Sequence, residues 1–204
     1  GEVSTRENSW HDLFNALAWA RFPRLTSAIN AAHVRAMASG CEPGRGKTRD
    51  ALTLFDECGA IIVSAEGEPL DMLAGRDWQV VLYHRKADWN RRIRVFIFGH
   101  AMLEKFLNPY KSMTANALLV QVSTPADESP RDQLLKTLDA AIASELDSGV
   151  LLGSSRDLSP LPLMGIPGWW ASGEQDQGFY DDPSVFRSPP DGFQPAPVFS
   201  IPID

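Results

Sequence analysis

The stretch Phe98-Gly99-His100-Ala101-Met102-Leu103-Glu104-Lys105 sets a histidine and a glutamate four residues apart, directly after a run that alternates as a strand. On a helix, residues four apart share a face. Glu104 can then orient His100 as a general base, or the two can supply a pair of ligands to one metal ion. A metal would need a third group from Asp50, Asp56 or His11, and the spacing alone does not join them, so no metal site and no cofactor is assigned. A His–Glu hydrogen bond tying a helix to a sheet explains the same pair without chemistry, because polar groups near a core must satisfy one another.

The most unusual charge pattern is Arg49-Asp50-Ala51-Leu52-Thr53-Leu54-Phe55-Asp56-Glu57, four charged residues bracketing an apolar centre. Read as a strand, Asp50, Leu52, Leu54 and Asp56 point one way, and Arg49, Ala51, Thr53, Phe55 and Glu57 the other. The two aspartates then lie at opposite ends of one face, too far apart for a shared-proton dyad. The candidate site is where this strand approaches the helix that begins at His100. Its candidate catalytic groups are His100, Glu104, Asp50 and Asp56, and its candidate binding groups are Asn15, Arg49, Thr53, Glu57 and Lys105.

Other motifs carry less. Gly44-Arg45-Gly46-Lys47-Thr48 matches the end of a phosphate-binding loop, but Cys41 holds the first glycine position and the expected flanks are helix then strand, the reverse of what aims a helix N-terminus at an anion. Residues 76–94 hold Arg76, Arg85, Lys86, Arg91, Arg92 and Arg94 against Asp77 and Asp88, interleaved with Trp78, Tyr83 and Trp89. Such a mixture suits a nucleic-acid strand, yet the chain carries a net charge of −7, and neutralising phosphates needs a basic surface. Nucleic acid is therefore not the expected partner. His11 and Asn15 lie one helical turn apart, Tyr180-Asp181-Asp182 resembles an ordinary turn, and His33 and His84 have no local partners.

Local signals set out the elements that must carry these groups. Ser9 caps a first helix with Asp12 three residues on, and Trp10, Leu13, Phe14 and Leu17 form its expected buried stripe. A second helix runs over residues 25–39 with Leu25, Ile29, Ala32 and Ala36 on one face and a stop at Gly40. Residues 41–47 read as a Gly/Pro loop, and residues 50–64 as a β-hairpin turning at Glu57-Cys58-Gly59. Residues 77–86 read as a helix, residues 93–98 as a strand, residues 100–107 as a helix and residues 117–122 as a strand. Ser129-Pro130 with Asp132 opens a last helix buried through Leu134, Leu135, Leu138 and Ile142. Nine of the fifteen prolines fall from Pro160 onward, among too many large apolar groups for a disordered tail.

The expected architecture is α+β: a small mixed or antiparallel sheet covered by helices, in one domain over residues 1–204. Residues 1–159 form the body, and residues 160–204 a Pro-rich arm wrapped over it. At 204 residues with 44% hydrophobic side chains, the chain can bury a core without staples. Cys41 and Cys58 are too few for a disulfide framework. No apolar run approaches the roughly 18 residues of a membrane span, and no basic-then-apolar leader is visible after Gly1, so a cytoplasmic location is expected.

Several ordered blocks resemble the bacterial family catalogued as domain of unknown function 3025. They are Trp10-His11-Asp12-Leu13-Phe14-Asn15, Phe22-Pro23 with the segment from Leu25 to Asn30, the run from Arg49 to Glu57, and that from Phe98 to Lys105. Pro160-Leu161-Pro162-Leu163-Met164-Gly165-Ile166-Pro167-Gly168-Trp169, Phe179-Tyr180-Asp181-Asp182 and Phe186-Arg187 complete them. The resemblance covers most of the chain and brings no activity, cofactor or catalytic residue with it. Two functions stay open: a small-molecule-binding protein or enzyme using the site above, and an interaction or structural domain whose arm presents Trp169 and Trp170 to a partner.

Overall fold

The structure is a computed structural model that describes residues 5–38, 45–126, 128–171 and 173–203. Helices α1 (Trp10–Arg21), α2 (Pro23–Ala38) and α3 (Arg45–Cys58) come first, then strand β1 (Gly59–Ser64) and helix α4 (Gly67–Gly75). Strand β2 (Arg94–Ile97), helix α5 (His100–Lys105), strand β3 (Thr114–Gln121) and helix α6 (Arg131–Asp147) follow, and then the short strands β4 (Ser159–Pro162) and β5 (Val198–Ser200). The α+β architecture expected from the sequence is present as a mixed five-stranded sheet. β1 and β3 are parallel at its centre, β2 flanks β1 antiparallel, and the far edge of β3 is shared by β4 (antiparallel) and β5 (parallel).

Side-chain alternation splits the core between the two faces of this sheet. Ile61, Val63, Leu118 and Val120 point to one face, where α2, α3 and α6 cover them with Leu25, Ile29, Leu52, Phe55, Leu138 and Ile142. Ala60, Ile62, Ala117 and Leu119 point to the other, covered by Leu70 and Leu73 of α4, Trp78, Trp89 and Met102. The arm closes that second layer with Met164, Ile166, Phe179, Tyr180 and Phe186. The expected buried positions of α6 are all buried.

Four local expectations are corrected. Residues 50–64 are not a hairpin: residues 45–58 form α3, and only Gly59–Ser64 is a strand. Ala51, Leu52 and Phe55 are fully buried while Thr53, Leu54 and Glu57 are exposed, a stripe of helical rather than two-residue period. Arg49 and Asp50 are solvated side chains of the first turns of α3, not a charged strand end. In α1 the expected core stripe is largely outside, with Trp10, Leu13 and Leu17 exposed, because the helix packs through Asp12 and Ala18 at the edge of the domain. The helix expected over residues 77–86 is a single π-helical turn, Gln79–His84. The expected stop at Gly40 and the start of the following loop lie outside the described residues, and Gly46-Lys47-Thr48 are helical, at the start of α3.

Candidate functional site

Two glycines make the site possible by letting backbones touch. At the α3–β1 junction, a Cβ on Gly59 would lie 2.2 Å from the Phe55 carbonyl oxygen, so the chain turns from helix to strand with no room for a side chain. A Cβ on Gly99 would lie 2.4 Å from the Gly59 nitrogen, 2.5 Å from the Glu57 oxygen and 2.6 Å from the Cys58 nitrogen. The amides of Phe98 and Gly99 both donate to the Gly59 carbonyl, at 3.0 and 2.9 Å. The start of α5 is thereby pressed onto the end of α3, and His100, the first residue of α5, is carried to Asp56 in the last turn of α3.

The third element is α1. Ser9 accepts from the Asp12 amide at 3.3 Å and caps the helix. The Asp12 carboxylate does not close a capping box but accepts from the Arg6 backbone at 2.6 Å and from its guanidinium at 2.9 and 3.1 Å. Those Arg6 bonds hold Asp12 far below the usual carboxylate range, so it is ionised. The Nδ1 of His11 lies 3.2 Å from Asp12 Oδ1, and its Nε2 lies 3.1 Å from Nε2 of His100. The two imidazoles meet edge to face, with centroids 4.7 Å apart.

His100 is buried, whereas the His11 side chain is 44% exposed. Nδ1 of His100 is buried without a hydrogen-bond partner and faces Asp56 Oδ2 at 3.9 Å, within Coulombic reach but beyond a direct bond. Burial raises the Asp56 carboxyl above its ordinary value, and Glu57 adds to this; His100, His33 on α2 and His11 oppose it. Four groups thus form one line: Asp12, His11, His100, Asp56.

Donor and acceptor rules fix how protons sit along that line. An ionised carboxylate only accepts, so His11 donates Nδ1–H to Asp12 and a neutral His11 presents a lone pair at Nε2. His100 must then donate Nε2–H to His11. With one proton each, His100 presents a lone pair at Nδ1, 3.9 Å from Asp56 Oδ2.

The sequence-predicted residues divide on this geometry. His100 and Asp56 come together and His11 joins them, while Glu104 is half-buried on α5 and no hydrogen bond or ion pair joins it to His100 among the described residues. Asp50, Arg49, Thr53 and Glu57 are exposed side chains of α3. Lys105 Nζ reaches Cys58 Sγ at 3.6 Å, and Asn15 sits half-buried one turn from His11. Asp12 as the group that orients His11 was missed, although an acid beside a histidine at a helix start is the signal for it. No group of three or more His, Cys, Asp or Glu side chains among the described residues is placed to hold a metal ion. Trp169 and Trp170 are half-buried; Trp169 packs on Phe106, and Trp170 donates to Glu174 at 2.6 Å. No described helix is long and apolar enough to cross a membrane.

The fold and this line of groups define an α+β protein with a histidine pair flanked by carboxylates at the meeting of three helices. The chain belongs to the DUF3025 family, described as "Protein of unknown function", whose pattern matches residues 1–189. No curated protein and no solved structure matches it.

Proposed function

We propose that the chain is an enzyme that moves protons on a small polar substrate, which meets His11 at Nε2 by taking the place of the His100 Nε2–H that bonds there. Asp12 orients His11, and Asp56 acts on His100 through its charge, from 3.9 Å. The single observation that carries the reading is the 3.1 Å approach of the two Nε2 atoms while each Nδ1 faces a carboxylate. Two imidazoles with both outer nitrogens turned to acids leave one proton to share between their inner nitrogens. General acid–base catalysis needs such a group, within hydrogen-bond reach and able to take or give a proton without reorganising its surroundings. Histidine suits the role near neutral pH, and His11, with its side chain 44% exposed, is the member of the pair that a substrate can reach.

The test is a metabolite screen by thermal unfolding, followed by NMR of each hit in deuterated water, which reads both turnover and exchange of substrate hydrogens. Parent protein should bind and convert or exchange a hit. His11→Gln and His100→Gln should retain the fold and lose turnover by about a hundredfold or more, the usual scale of acid–base assistance. Conversion that persists unchanged in both variants would remove the histidine pair from the mechanism.

A further inference from the structure

We infer a second binding site, for a small-molecule oxyanion, in the cavity between the end of α4 and the Pro-rich arm. The cavity holds about 420 Å³, and its lining includes Arg76, Arg156, Ser159, Phe193 and Gln194. Its size falls within the range of small-molecule pockets. No acidic side chain lines it. Asp157, next to Arg156, is turned back to accept from the Ser154 amide at 3.1 Å, and the exposed Asp77 and Asp181 line a neighbouring cavity that Arg76 also borders.

Arg76 is the unusual member. Its guanidinium carbon lies 4.5 Å from the centre of the Phe193 ring, within cation–π range. Its Nε is buried and has no hydrogen-bond partner, and no ion pair reaches Arg76 or Arg156 among the described residues. Arg76 also closes α4 in the left-handed conformation, at φ 64°, where glycine or asparagine is the usual residue. Two unpaired arginines facing one cavity without a carboxylate match the planar fork with which arginine holds phosphate or carboxylate oxygens.

The experiment is thermal unfolding of the full chain against inorganic phosphate and, separately, succinate, each at ionic strength held constant with chloride. Phosphate stabilises proteins generally by exclusion from their surfaces, so the readout is saturation, not the rise itself. The expected result is a saturable shift with at least one probe, its midpoint weakened about tenfold or more in Arg76→Gly and in Arg156→Gln. Phosphate alone assigns a phosphoryl group, and succinate alone a carboxylate. Arg76→Gly suits the backbone at φ 64° and should fold as the parent does; should it melt early, the exposed Arg156→Gln decides by itself. A response to both probes that never saturates, or one that the variants share unchanged, overturns the site.

Discussion

Gly99→Ala tests the joint on which the candidate site depends. The new methyl group would sit 2.4, 2.5 and 2.6 Å from three backbone atoms of the α3–β1 junction, against a carbon contact distance of about 3.5 Å or more. None of the three can rotate away as a side-chain tip would, so α5 must withdraw by about 1 Å. Overpacking of this kind typically costs about 1–3 kcal/mol, and backbone on every side places this substitution near about 3. For a chain of this length that lowers Tm by about 6–12 °C. His100 is the next residue and moves with α5, which breaks the 3.1 Å contact with His11; a misplacement of about 1 Å is enough to cost about a hundredfold in rate. The cause is space and not backbone conformation, since the φ of Gly99 is −61°. Gly46→Ala is the control: it lies in the first turn of α3 with nothing within 4 Å of the added methyl, and should gain up to about 1 kcal/mol. Urea and thermal unfolding of the three proteins measure both effects. A Gly99→Ala protein melting within about 2 °C of the parent, a loss of less than about 1 kcal/mol, would refute the close-approach argument.

Three further expectations follow from buried polar groups. Asp56 has its carboxyl raised by burial, so the native state holds that proton more tightly than the unfolded chain. The parent should lose stability as pH climbs from the ordinary carboxylate value through the raised one. Asp56→Asn should flatten that slope and be the more stable protein at pH 7, by well under about 1.4 kcal/mol because the side chain is partly solvated; a less stable variant at pH 7 contradicts this. Asp139 on α6 is buried and accepts from the amides of Arg24 and Leu25 at 3.2 and 2.9 Å, capping α2 from outside it. Asp139→Ala should cost about 2 kcal/mol in urea unfolding and Asp139→Asn less, and equal losses would show that the cap is not the cause. Tyr180 donates to the Gly165 carbonyl at 3.0 Å, and burial pushes its hydroxyl up to about 12. Ultraviolet titration should show its ionisation after that of a freely titrating tyrosine, with stability falling as pH rises from about 10 toward 12; an intact fold with Tyr180 ionised near pH 10 would contradict it.

The strong elements were legible because each had a boundary signal as well as a period. α6 has an early acid and four buried leucine or isoleucine positions as read, although Pro130 stands at its N-cap rather than in the first turn and no side chain caps it. The strand of residues 93–98 and its break at Gly99 were read from alternation followed by a glycine. Residues 50–57 failed because a five-residue apolar run fits either period. Ala51, Leu52 and Phe55 are buried and Leu54 is not, so the discriminating fact was which of the five faced solvent. α1 failed for a related reason: amphipathic spacing marks a stripe, but the buried residues of α1 are Asp12 and Ala18, six residues and about 120° apart on the helix, and they form no stripe.

The same error decided what the candidate site looked like. As strand residues, Asp50 and Asp56 share a face; as helix residues six apart they are rotated by about 600°, or two-thirds of a turn beyond one full turn, and only Asp56 reaches α5. Glu104 was the natural partner for His100 by sequence spacing, but His100 is the first residue of α5. Its ring meets what lies outside that short helix, the end of α3 and the flank of α1. A histidine at a helix start is oriented by the elements packed against that end, and no spacing rule within its own helix can name them. The functional weight therefore falls on long-range packing: Gly59 and Gly99 bring α3 to α5, Arg6 holds Asp12 ionised, and Asp12 turns His11 toward His100. On this argument, Arg6→Ala should impair the histidine pair although Arg6 touches neither ring.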